Sequence, residues 1–278
     1  MLLRWARSKS GRVETSVPAL ALIAPLAAAV ETKQEMRDDT FLGFRQLPMI
    51  LADYVALALF AFLWALYSWF TAGSGGRFLP RQSLNKAMAE RRQRWIYNAL
   101  KRELRMIDTQ IFAGLQNGTA FFATSSIFAL GSCFALLGAA DKADAVFSNL
   151  PFVPYTGHAA FELKVGGLAF LLGYAFFKFG WAYRLFNYCT ILFGALPMTK
   201  DAEADPVHAR RAADHVVRMN TIAAGHFNAG LRTLFLSIGY LGWFAGPYVF
   251  MATTVIIIVA LLRRQYFSEA RLAIMEDE

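Results

Sequence analysis

Long apolar stretches alternate along this chain with shorter polar, mostly basic ones, and the apolar stretches set its architecture. Four of them reach or exceed the roughly 20 residues that cross a bilayer core as helix. They run from about Pro48 to Phe70, Thr119 to Ala140, Phe161 to Pro197 and Leu231 to Leu262. Between the first and second, steps of three and four put Ile96, Leu100, Glu103, Ile107, Gln110, Gly114 and Asn117 on one helical face. Arg91, Arg94, Asn98, Arg102 and Arg105 fall on another. This predicts a basic amphipathic helix over 82–117, of the kind that lies at a membrane interface or packs on a partner. A second polar helix is predicted over 206–224, opened by Asp205-Pro206 and carrying Ala209, Ala213, Val216 and Val217 on one side. The fold class is therefore all-α: a polytopic membrane protein with about four transmembrane helices plus amphipathic inner-side helices.

Two of the runs are longer than one perpendicular crossing. As straight helix at 1.5 Å per residue, the third extends roughly 55 Å, against a hydrocarbon core of about 30 Å. A crossing that starts at Gly166 ends near Trp181 to Arg184, with Lys178 within snorkelling reach of the interface. The remainder, LFNYCTILFGALP, then overhangs the membrane and needs a protein surface, for which the basic helix is the candidate. In the fourth run Gly246-Pro247 breaks the hydrogen-bond ladder, and one kinked helix is expected. A re-entrant hairpin at that point is the alternative.

Composition agrees with the pattern. Of 278 residues 56% are hydrophobic and 17% charged, with mean hydropathy +0.37; soluble domains carry about 25% charged residues. The formal net charge of +8 points to inside loops and anionic membrane lipids rather than nucleic acid, for which there is no motif. Nine Lys and Arg lie between the first and second spans, and five from the end of the third span to the first residues of the fourth (Lys200, Arg210, Arg211, Arg218 and Arg232), against Lys142 and Lys164 from the end of the second span to the first residues of the third. The positive-inside rule then places both helical segments inside and both ends of the span domain outside. Arg263 and Arg264 oppose that arrangement. Residues 48–264 form the four-span domain, and 265–278 an acidic tail.

Residues 1–47 read as an N-terminal arm or targeting-like extension. Arg4, Arg7, Lys9 and Arg12 precede the first acid, and VPALALIAPLAAAV follows, too short and too interrupted by Pro18 and Pro25 to span.

No phosphate loop, zinc signature or nucleophile elbow is present, so no catalytic residue, metal ligand or cofactor is assigned. What stands out is polar residues in apolar settings. Glu103, Gln110 and Asn117 recur at heptad spacing on the apolar stripe, with Asp108 beside them. They either fix helix register by internal hydrogen bonds or line a site against a neighbouring helix. The candidate polar site comprises Arg94, Arg102, Glu103, Arg105, Asp108, Gln110 and Asn117, together with Lys178, Arg184, Asn187, Asn220, His226, Asn228 and Arg232. Charges near a membrane are functional candidates by default. Buried Cys133 and Cys189 read as small hydrophobes, and the histidines lack metal spacing.

Several segments also carry a resemblance. RELRMIDTQI (Arg102 to Ile111), GTAFFATSSI (Gly118 to Ile127), FFKFGWAYRLFNYC (Phe176 to Cys189), AAGHFNAGLRTLFL (Ala223 to Leu236) and WFAGP (Trp243 to Pro247), with Arg94-Trp95 before them, occur in order. In this the chain resembles the bacterial membrane-protein family called domain of unknown function 599, from about Asp53 to Arg264. The resemblance implies a four-span membrane protein and carries no activity with it. The long arm departs from the family pattern. Localisation in a bacterial inner membrane or a mitochondrial inner membrane is expected.

Three functional classes follow, the third and least supported by spacing being a membrane enzyme acting on a lipid or isoprenoid, with Asp108 or Glu103 and His226 as acid-base groups. The first is a non-catalytic accessory or assembly subunit of a larger membrane complex, partnered by other membrane proteins or by itself. The second is a small transporter, channel or lipid-handling protein, in which Glu103, Asp108 and Arg105 meet Lys178, Arg184 or Arg232 around a water-accessible cavity. A dry contact among those groups favours structural pairing instead.

Overall fold

The computed structural model describes residues 49–71, 83–140, 142, 146 and 157–275, which lie in a unit spanning Pro48–Glu278. The arm over 1–47 and the end of the acidic tail lie outside the described residues. The helices are α1 (Leu51–Thr71), α2 (Leu84–Ala99), α3 (Met106–Gly138), α4 (His158–Gly194), α5 (Thr199–Ala204), α6 (Pro206–Tyr240), α7 (Gly242–Ala245), α8 (Pro247–Tyr266) and α9 (Glu269–Met275). No strand occurs among the described residues. Leu51–Thr71, Met106–Gly138, His158–Gly194 and Pro247–Ile274 are long and apolar enough to cross a membrane. The chain is an all-α integral membrane protein.

Helix starts follow local chemistry. The Ser83 hydroxyl accepts from Lys86 N at 3.4 Å to open α2, and Asp205 accepts from His208 N at 3.0 Å to open α6. Pro206 then occupies the first turn, where a missing N–H costs nothing.

Packing is antiparallel from α3 to α4 to α6. Phe112 meets Phe193 at 5.0 Å and Phe122 stacks on Phe179 at 5.5 Å. Along α4 and α6 the backbones approach so closely that a Cβ on Gly230 would stand 2.7 Å from the Phe179 ring. One on Gly167 would stand 2.0 Å from the Tyr240 hydroxyl. The overhanging end of α4 is covered as expected, by α2 and the start of α6. Ile96, Ala99, Phe112, Cys189, Phe193, Leu196, Ala213 and Val216 form one buried cluster there.

Three sequence expectations change. The helix over 82–117 is two helices, because the chain turns between Ala99 and Met106. The turn is held by Arg105, which bonds backwards to Ala99 O at 3.2 Å, so the heptad count across it has no structural meaning. The helix over 206–224 does not stop; α6 continues to Tyr240, its glycines absorbed by close packing on α4.

The third change is the Gly246-Pro247 break, which is a hairpin and not a kink. Gly246 has φ 136°, open to glycine and strained for other residues, and Pro247 starts α8. The four-residue α7, with Gly246, supplies the turn. Helix α8 then returns along α6, with Thr253 Oγ1 donating to Gly239 O at 2.7 Å. α1 packs parallel to α8: Asp53 meets Trp243 at one end, Phe60 meets Phe250 (5.3 Å), and Tyr67 shares the other end with Arg264.

The distal half of α6 therefore runs through the bundle as a passage of its own. It is less apolar than the four candidate spans, and packs chiefly on α4, with α8 and residues of α1 on other sides. Leu51 and Tyr266 consequently lie at opposite ends of the bundle, which corrects the expectation of both ends on one side. Arg263 and Arg264 then join the other basic segments at a single end, and their conflict with the positive-inside count disappears.

Candidate functional site

The segment that the sequence singled out forms a clasp. Asp108 sits in the first turn of α3 and is fully buried. Its Oδ1 accepts from Arg102 Nη1 at 2.6 Å and from Trp95 Nε1 at 2.7 Å. The carboxylate also faces the positive end of the helix dipole. Arg105 donates to Leu196 O at 3.1 Å and Pro197 O at 2.6 Å, holding the two loop carbonyls just past the end of α4. Trp95 packs at 5.0 Å from Phe112. This ties α2, α3 and α4 together.

The remaining candidates scatter. Glu103, Gln110 and Asn117 point outward and are exposed. Asn187 accepts from Gln116 Nε2 at 2.8 Å, a neighbour of the expected Asn117. Arg184 turns onto Tyr188 of its own helix (2.6 Å) and Lys178 lies over Tyr174 (5.1 Å). His226 meets Trp181 edge-on at 6.5 Å. Asn220 is fully buried on α6, and neither of its polar side-chain atoms has a hydrogen-bond partner. Arg94 is exposed on α2. Asp108, Glu103 and Arg105 do not converge with Lys178, Arg184 or Arg232, so these groups do not gather around one cavity. Lys178 and Arg184 are engaged by tyrosines of their own helix.

A crevice does form elsewhere, where α2, α6 and α8 meet the end of α1. It is lined by Tyr67, Leu84, Asn85, Asn228, Leu231, Arg232, Phe235, Leu261, Arg264 and Gln265 and encloses about 70 Å³. Arg232 donates through Nη1 to the hydroxyl of Thr71, the last residue of α1. Its guanidinium lies over the Tyr67 ring at 5.6 Å, and that of Arg264 over Phe235 at 5.8 Å. Asn228 Nδ2 donates to Asn85 Oδ1 at 3.2 Å, joining α6 to α2. Of the sequence candidates, Asn228 and Arg232 are here. Tyr67, Asn85, Arg264 and Gln265 were missed, since only the hairpin brings the end of α8 beside α6.

At the opposite end Asp53 is also fully buried. It accepts from Trp243 Nε1 at 2.6 Å and Ile50 N at 3.2 Å, and Lys164 Nζ lies 5.7 Å from the Trp243 ring. This pins the start of α1 to the α6–α8 turn. No group of His, Cys, Asp and Glu suited to a metal ion occurs among the described residues.

The profile of the family described as Protein of unknown function, DUF599, matches residues 55–270, most of the chain. The chain belongs to the DUF599 family. The match covers α2 to α8 and all but the first residues of α1. It therefore includes both the clasp and the crevice. No curated protein and no solved structure matches the chain.

Proposed function

We propose that this DUF599 protein is a non-catalytic, lipid-handling membrane protein that engages anionic lipid at its basic end. The observation that carries the reading is the crevice. Two guanidiniums and three amide side chains meet there without a carboxylate in the lining. Polar groups converging beside apolar walls are what a small-ligand site needs. The basic end faces the cytoplasm of a bacterial inner membrane or the matrix of a mitochondrial one, since α2, the α2–α3 turn and Arg263-Arg264 share it. Lipid extracted from protein purified in mild detergent tests this. Phosphatidylglycerol or another anionic lipid is expected to be enriched over its share of the source membrane. Retained lipid that matches the bulk composition overturns the proposal.

A second reading, an accessory or assembly subunit, rests on a different observation. Leu104, Met106, Ile107 and Ile191 are exposed by 69–80% on the overhanging parts, past the level where Arg184 marks the interface. A monodisperse single chain in mild detergent counts against it. Stable co-purification of a second membrane protein supports it.

A further inference from the structure

The crevice at Arg232 and Arg264 has the donor set of a phosphate site. Its polar atoms are unbalanced. Arg232 Nε is buried without a hydrogen-bond partner, and so is Nε2 of Gln265, a side chain with 7% of its surface exposed. Both residues line the crevice, and Arg264 adds a guanidinium whose side chain is exposed at its rim. Asn85 has its carbonyl oxygen engaged by Asn228, which leaves its own amide N–H groups for a ligand. Among the described residues no Asp or Glu lines the space, so nothing in that lining neutralises the two cations. Buried donors without acceptors are costly, and two guanidiniums beside one space disfavour each other until an anion enters. An oxyanion relieves the charge cost directly, and the buried Nε and Nε2 donors once the side chains turn toward it; arginine meets phosphate with short, charge-assisted bonds.

Size and depth narrow the ligand. The volume of about 70 Å³ is several times the roughly 10–15 Å³ that one water needs. That is room for a tetrahedral group of a few heavy atoms. α1 has 21 residues, roughly 30 Å of helix, which equals the thickness of the hydrocarbon core. Thr71 at its end therefore marks the membrane boundary, and Arg232 is bonded to Thr71. A group held by Arg232 and Arg264 sits at headgroup depth. Leu84, Leu231, Phe235 and Leu261 give the same crevice apolar walls against which an acyl or glycerol portion can lie.

We infer that the crevice formed by Arg232, Arg264, Gln265 and Asn85 binds a phosphate ester oxyanion, supplied by a membrane phospholipid. This rests on the lipid-handling reading and specifies where and by which group the lipid is held. A soluble phosphate offers the same oxyanion, and the two sources separate experimentally.

The test uses the full chain in neutral detergent, with bound ligand counted by native mass spectrometry. Phosphatidylglycerol, phosphatidylcholine and inorganic phosphate are added separately. The proteins are wild type, Arg264→Gln, Arg232→Lys and, as a control, Arg94→Gln, an exposed arginine outside the crevice. One phosphatidylglycerol is expected to bind tightly to wild type and to Arg94→Gln. Binding is expected to weaken about tenfold in Arg264→Gln, the order expected for one charge-assisted contact. Arg232→Lys keeps the charge but loses the Nε donor, and a smaller loss is expected there. Should Arg264→Gln and Arg232→Lys bind phosphatidylglycerol like wild type, the site lies elsewhere. The inference then fails while anionic-lipid handling stands. Equal binding of phosphatidylglycerol and phosphatidylcholine, insensitive to every variant, overturns both. Saturable binding of inorganic phosphate that phosphatidylglycerol does not displace overturns the lipid as the source. Because Arg264 is exposed, its substitution leaves the fold intact, and an unchanged melting temperature verifies that.

Discussion

The clasp around Asp108 and the crevice around Arg232 are built from similar side chains and differ in what completes them. Around Asp108, Arg102 and Trp95 both land on one carboxylate, and Arg105 lands on backbone carbonyls. Its one leftover atom, Asp108 Oδ2, is an acceptor beside a cation. In the crevice the leftovers are donors, on Arg232 and Gln265, with a second cation nearby and no carboxylate. A polar cluster whose cations all find acceptors within it holds a fold together. One that keeps unpartnered donors is set up for something that comes from outside. Conspicuous polar residues in a sequence do not distinguish the two; what is left unpartnered does.

That contrast can be broken by substitution. Asp108→Ala removes the clasp's only carboxylate and is expected to destabilise the protein by roughly 2–3 kcal/mol. This is the lower end of what breaking a buried pair costs, because Arg102 is partly exposed. Denaturant unfolding in detergent measures it, and a change below about 0.5 kcal/mol, the scale of a neutral surface substitution, would show that the clasp holds nothing. Next comes Gly230→Ala, which puts a methyl against the Phe179 ring. A loss of about 1–3 kcal/mol is expected from overpacking, with bound lipid retained once the protein is folded. Smallest are Glu103→Gln and Asn117→Ala, which are expected to leave both melting temperature and lipid binding unchanged. A clear loss of binding in either would move the site back toward the α2–α3 segment.

Much of this fold was legible in the sequence because helices and spans follow from local composition. The α6 start is an example: Asp205 and Pro206 mark it by chemistry that needs no partner. The turn at Leu100 to Arg105 was not legible. It contains no glycine or proline, and what bends the chain is a set of contacts with Leu196 and Pro197 far along it. Gly246-Pro247 was visible as a break but not as a reversal, since a kink and a hairpin share that dipeptide. The glycine's positive φ and the Thr253–Gly239 bond decide between them. The crevice inherits the same limit. Arg232 stood out as a charge within an apolar run, whereas Gln265 and Asn85 become interesting only after the hairpin closes.

The reversal at Gly246 also constrains biogenesis. Past Arg232, which sits at the membrane boundary, α6 and α7 run only to Ala245, short of the roughly 20 residues that cross a bilayer core. Such a segment does not enter the membrane on its own account. It becomes a passage once α8 emerges from the ribosome and the two can insert as a pair against α1 and α4. The last apolar helix is then what commits the one before it, and a nascent chain stopped ahead of Pro247 would leave α6 waiting in water.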